Sequence, residues 1–103
     1  MAMNQMQQML ARAQKMQREL QKAQAALAET EFKISKAGIV EVVVMGDRSV
    51  KSINIDKDAL EPDSKDMIEE TIVLAINEAL EKIEAENERI QEEITGQKGG
   101  LGF

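Results

Sequence analysis

The chain reads as an α+β protein built in the order helix, three antiparallel strands, helix. Apolar residues recur at helical spacing over residues 6–27 and again over 68–83, while three short stretches between them follow a period of two and are separated by turn residues. A chain of 103 residues buries only about two-thirds of its unfolded surface, so association of copies is expected to complete the core.

The first helix is the element around which the rest is arranged. Met6, Ala13, Leu20 and Leu27 fall seven residues apart, and Met9, Met16 and Ala23 lie three further on. This is the a/d spacing of a coiled-coil seam, and no Gly or Pro interrupts it. At about 100° per residue, Arg12, Lys15, Arg18 and Lys22 gather on roughly the opposite side, with Glu19 the single acid of the stretch. The helix is expected over about 5–29, after a frayed lead-in at 1–4, and it carries both an association stripe and a basic stripe.

From Glu31 the period changes to two. Phe32 and Ile34 alternate with Lys33, Ser35 and Lys36, which predicts a strand over about 31–37 with one wet face, and Ala37 and Gly38 make a tight reversal. The next strand, about 39–46, is richer: Val40, Val42 and Val44 supply one face, and Ile39, Val43 and Met45 make the other apolar apart from Glu41. Such a strand is expected to be central and covered on both sides, the second side by a partner subunit. After a turn at 46–49, a third strand over about 50–56 is expected to point Ile53 and Ile55 inward.

A connector with the single Pro leads to the second helix, about 64–95, for which Asp63 is the expected N-cap and Asp66 a favourable first-turn acid. Ile68, Ile72, Ile76, Ala79, Leu80 and Ile83 form a broad apolar face, helped by Val73, Leu74 and Ala75, so the first half should pack on the sheet or in a subunit interface. Past Ile83 the stripe thins to Ile90 and Ile94, and the helix is expected to project outward until Gly96. The glycine-rich remainder, 96–103, is expected to be a flexible tail. Together these elements are expected to make one domain over 1–103, with Val40, Val42, Val43, Val44, Ile72 and Ile76 as core and dimer residues.

Composition narrows the function. Without Cys or His there are no disulfides, thiol nucleophiles, imidazole bases or ordinary zinc sites, and a reducing, cytoplasmic setting fits. The first ten residues lack the charged start and apolar run of a secretory signal, and no stretch approaches the roughly 20 apolar residues of a membrane span. Phe32 and Phe103 are the only aromatic residues, too few for a base-stacking platform. Glu78, Glu81, Glu84, Glu86, Glu88, Glu92 and Glu93 spread around their helix instead of converging on a metal, and Ser35, Ser49 and Ser52 have no base in view. The turn at 46–49, with one glycine, is no phosphate-binding loop. No catalysis, cofactor, metal, membrane or small-molecule substrate is expected. The net charge of −6 is uneven: residues 1–28 hold four bases and one acid, residues 61–93 three bases and twelve acids, so the first helix is the only basic element.

The stretches AQKMQREL at 13–20, AGIVEVVVMG at 37–46, VKSINID at 50–56 and the DSKDMIEE that follows at 63–70 resemble the YbaB/EbfC family of bacterial nucleoid-associated proteins over about residues 5–95. The resemblance implies a homodimer in which the sheets and the base of the second helix join, while helical arms project like tweezers and bind double-stranded DNA. Two departures reduce the cations available for phosphates: residues 1–10 hold no base, and the tail holds only Lys98. The expected function is DNA binding in the nucleoid with little base reading, touching nucleoid organisation and gene expression. Arg12, Lys15, Arg18 and Lys22 are the expected DNA contacts, on the strength of the basic stripe. The competing expectation is a coiled-coil clamp for proteins, similar in outline to prefoldin-type chaperones, with exposed Met at the helix tips gripping clients.

Overall fold

A computed structural model describes residues 4–96 and has the predicted order: α1 (Gln5–Ala28), β1 (Glu31–Lys36), β2 (Val40–Met45), β3 (Val50–Ile55) and α2 (Lys65–Thr95). The strands lie in the order β1-β2-β3 and both pairs are antiparallel. The tail beyond Gly96 and the first three residues of the lead-in lie outside the described residues.

Asn4 is a cap, not part of a fraying lead-in: its side-chain oxygen accepts the Gln7 N–H at 2.8 Å, giving one orphan donor of the first turn a partner. At the other end α1 stops at Ala28. The Thr30 N–H donates to the Leu27 carbonyl at 2.9 Å and the Thr30 hydroxyl to that of Ala26 at 2.9 Å, so freed carbonyls are bound as the chain turns into β1.

Ala37 and Gly38 both have positive φ, 56° and 65°, and the Ile39 N–H donates to the Lys36 carbonyl at 2.9 Å. This is the two-residue hairpin turn whose twist matches that of the strands. It takes Ala37 out of β1 and Ile39 out of β2, and Ile39, freed from the strand's alternation, packs on the helix-facing core instead of the opposite face. At the second hairpin the Asp47 carboxylate accepts the Ser49 N–H at 2.9 Å and also its hydroxyl, with Arg48 at φ 73°. In register Val43 faces Ser52 whereas Val44 faces Val50, so Lys51 is an extra residue in β3, a bulge.

Ile34, Val40, Val42 and Val44 face Ile68, Ala75, Ala79 and Ile83 of α2 in one buried cluster. The fully buried alanines at 75 and 79 let the helix lie close to the valine strand. Two expectations change here. Val43, on the other face, is already buried in a single chain, set between Lys33 and Ser52 in register, so no second layer is needed to cover it. Ile53 is 46% exposed: α2 packs along β1 and β2 and leaves the edge strand β3 largely bare.

Asp63 does not cap α2. Pro62, with its fixed φ, begins a short 3-10 turn over Pro62–Ser64 that runs straight into the helix, and Ser64 holds the cap position without a side-chain bond. Asp66 is in the first turn, and Gly96 closes the helix in the left-handed region, its N–H donating to the Glu92 carbonyl at 2.7 Å. Beyond Ile83 the helix does not project alone: Ile90 is buried beside Ala23, Ala26 and Leu27 of α1. The two helices form an antiparallel arm on the sheet, and the molecule measures 76 × 25 × 15 Å.

Gly46 joins arm to sheet. Its N–H donates to the Thr30 carbonyl at 2.9 Å, and a Cβ there would fall 1.7 Å from the Leu27 carbonyl oxygen. Only glycine lets the last turn of α1 rest on the end of β2.

Candidate nucleic-acid interface

Over its 24 residues α1 is about 36 Å long. Leu27 is buried, Ala23, Leu20 and Met16 are half-buried, and every residue from Asn4 to Lys15 is exposed. The seam is therefore packed within the chain only along the half of α1 nearest the sheet. Met6 and Met9, expected as seam residues, stand in solvent because no part of α2 lies opposite them.

Arg12, Lys15, Arg18 and Lys22 are all exposed, on one side of α1 and along about 15 Å of its axis. Among the described residues none makes an ion pair, although Glu19 lies among them. Five described bases elsewhere are committed. Lys36 donates to Glu78 at 2.6 Å, Arg48 to Glu84 at 2.7 Å, Lys51 to Glu31, and Lys65 to Glu69 at 3.1 Å, while Arg89 bridges Glu86 and Glu93. Of the other described bases without an ion pair, Lys33 is on β1, Lys57 in the connector and Lys82 on α2, so they form no stripe. The four α1 cations keep all their donors for an external anion, and their spacing suits a run of phosphates more than a single small ligand.

The ion pairs also account for several of the acids. Hydrogen bonds from Lys36, Lys51 and Arg89 hold the Glu78, Glu31 and Glu86 carboxyls below the usual carboxylate range, and the Ser49 hydroxyl does the same for Asp47. Among the described residues no cluster of acids is arranged to hold a metal ion, and no helix is long and apolar enough to cross a membrane. The separation of committed from uncommitted bases was the part of the site that sequence reasoning missed: Lys36 and Glu78, or Arg48 and Glu84, are brought together only by folding.

Of the expected core residues, Val40, Val42, Val43 and Val44 are buried, and Ile72 and Ile76 are partly buried against the cluster that holds Val40, Val42 and Val44. A second surface lies at the base. Val50 and Ile53 of β3, Leu60 of the connector, and Met67, Val73 and Leu74 of α2 are exposed, the last by 62%. Beside them Ile55, Leu60, Ile68 and Ile72 line an apolar trough of about 470 Å³.

A basic helix with unpaired cations, held on an arm that rises from a small sheet, is the layout of a nucleic-acid-binding protein that works through backbone charge. The sequence pattern of the YbaB/EbfC DNA-binding family matches residues 3–98, and the chain belongs to that family. It is 42% identical over 103 residues to a nucleoid-associated protein of Enterococcus faecalis, covering 98% of this chain and 96% of the relative. A nucleoid-associated protein of Lachnospira eligens is 46% identical over 80 residues, 77% of this chain and 69% of that protein. One from Mycoplasmopsis pulmonis is 38% identical over 90 residues, 87% and 89% of the two chains.

Proposed function

We propose that this chain is a nucleoid-associated protein that holds double-stranded DNA by its phosphates, with Arg12, Lys15, Arg18 and Lys22 of α1 as the contacts and little reading of base sequence. The observation that carries the reading is the uncommitted state of these four cations on one exposed helix face, while five other bases are bound to acids. Bound to a duplex, they replace condensed counterions, a contribution that does not depend on base identity. The reading places the protein in the cytoplasm with the nucleoid, in keeping with the names of its relatives, and gives it no catalytic role.

The working unit in this reading is a homodimer joined at the base. The first half of α2 carries apolar residues on more than the side packed on the sheet: Ile68, Ala75 and Ala79 are buried there, while Met67, Val73 and Leu74 stand exposed among Asp66, Glu69, Glu70 and Asn77. Exposed large apolar side chains grouped in this way suit contact with a partner. A second copy covering Val73, Leu74 and the bare inner edge of β3 would enclose them and set two arms side by side. The protein-clamp alternative shares one feature, the exposed Met6 and Met9, but leaves the basic stripe without a task.

The deciding experiment is a mobility shift with a short duplex, run on the wild-type chain and on a variant with Arg12, Lys15, Arg18 and Lys22 replaced by Gln. Glutamine is a good helix former, and none of the four side chains packs in the chain, so the variant stays folded. Loss of most binding with unchanged circular dichroism is expected. Wild-type affinity in the folded variant would move the contacts to another surface.

A further inference from the structure

The heptad pattern of α1 continues past the point where the described residues supply it with a partner. Side chains at a and d positions are knobs that need holes made by a facing helix. Yet α2 ends at Thr95, and Met6 and Met9 remain 71% and 67% exposed, with Leu10 beside them at 56%. Residues 5–11, QMQQMLA, also hold no charge, so this end of α1 is neutral, with an apolar stripe of Met6, Met9 and Leu10 between glutamines, where a phosphate contact would call for bases. The exposed stripe is the direct extension of the packed α1–α2 seam, which makes its fitting occupant another apolar helix.

We propose that residues 6–16 of α1 are a contact between copies, in which the same segment of a second chain packs antiparallel across a two-fold axis. The segment is self-complementary. With a positions facing d positions, Met6 meets Met16 at each end and Met9 meets the smaller Ala13 in the two middle layers, so the two copies offer each other the same set of layers. Lys15 points away from the contact and stays open, whereas Arg12 flanks it at a g position, where the guanidiniums of the two copies come near each other and keep the contact weak. The contact is about 16 Å long, far below the size of a stable interface, so it is weak in dilute solution and acts when copies are already concentrated. A duplex carrying several copies supplies that condition, and arms of neighbouring dimers then tie DNA segments together. This last step rests on the proposed DNA binding, whereas the self-contact does not.

Sedimentation equilibrium of the full chain without DNA, from micromolar to millimolar concentration, tests it. The wild-type mass is expected to climb above its low-concentration plateau, and the Met6→Gln, Met9→Gln, Leu10→Gln variant is expected to lose that rise while keeping wild-type affinity for a short duplex. Because the chain has no cysteine, a mixture of Met9→Cys and Ala13→Cys chains can report the register, and a short bismaleimide should link the two variants to each other far better than it links either to itself. A flat wild-type mass, an equal rise in the Gln variant, or preferential linking of Met9→Cys chains to one another would overturn the proposal. Monomeric mass at the low plateau would instead count against the base dimer, and loss of duplex binding by the Gln variant would reassign the stripe to DNA.

Discussion

Gly46 shows how one residue can hold the arm to the sheet. A methyl group there would meet the Leu27 carbonyl at 1.7 Å, and the obstacle is backbone, which cannot rotate away. Gly46→Ala should therefore cost about 3 kcal/mol, read as a lowered urea midpoint, with α1 levered off β2. Ala37 offers the reverse. It holds φ 56° without being glycine, in a turn that favours Asn-Gly, so Ala37→Asn should raise stability by about 1 kcal/mol and the melting temperature by several degrees. The ion pairs predict a pH response. Glu78, held low by its hydrogen bond from Lys36, and Glu31, held low by that from Lys51, bind protons less readily folded than unfolded. Their contribution is present at neutral pH and is lost as pH falls through the depressed folded values. The urea midpoint should be level above the ordinary carboxylate range and drop below about pH 4, and Glu78→Gln should make that drop shallower.

At the scale of elements, α2 has two tasks along its length. Its first half covers β1 and β2 with Ile68, Ala75, Ala79 and Ile83, and its second half backs α1 through Ile90. Substitutions on its two sides should separate folding from association. Val42→Asp places a charge in a fully buried position and should cost several kcal/mol, abolishing the cooperative transition. Leu74→Glu alters a side chain that is mostly in solvent in the single chain, so the fold should survive. With the proposed base dimer, light scattering should then fall from about twice the 11.5 kDa chain mass to one times it. Dimeric mass in the Leu74→Glu chain would place the base interface elsewhere.

At the scale of the whole molecule, shape and charge decide together. The net charge of −6 per chain repels DNA, and ten of its nineteen acids lie on α2; screening over about 8–10 Å at physiological salt mutes those of its first half, while Glu86, Glu88, Glu92 and Glu93 run along the arm beside α1 and oppose binding. Direct phosphate contacts by α1 are affected less. If two arms neutralise about four to six phosphates, log affinity should fall with log salt at a slope near −4 to −5, and the four-Gln variant should flatten it. If the proposed contacts are to the backbone alone, and with two aromatic residues in the chain, duplexes of unrelated sequence should compete about equally. A duplex that outcompetes its scrambled versions by about a thousandfold would contradict backbone binding.

The sequence by itself determined the order of elements, the two helical stripes of α1, the hairpin at Ala37 and Gly38 and the close of α2 at Gly96, because each depends on backbone geometry within a few residues. It could not show where α2 crosses the sheet, and everything that depends on that crossing was decided by the tertiary structure. Ile53 follows the same alternation as buried Val42, its partner in register, yet lies bare because α2 passes over β1 and β2. Met6 follows the same heptad as Leu27, yet one is in solvent and the other in the core because α2 ends before it reaches Met6. The bases divide in the same way: Lys36 meets Glu78 from 42 residues away and Arg48 meets Glu84 from 36, whereas the cations of α1 have no acid brought to them. Periodicity states which faces a segment offers. Only the packing of segments far apart in the chain decides which of those faces are covered, which charges are neutralised, and which remain for DNA.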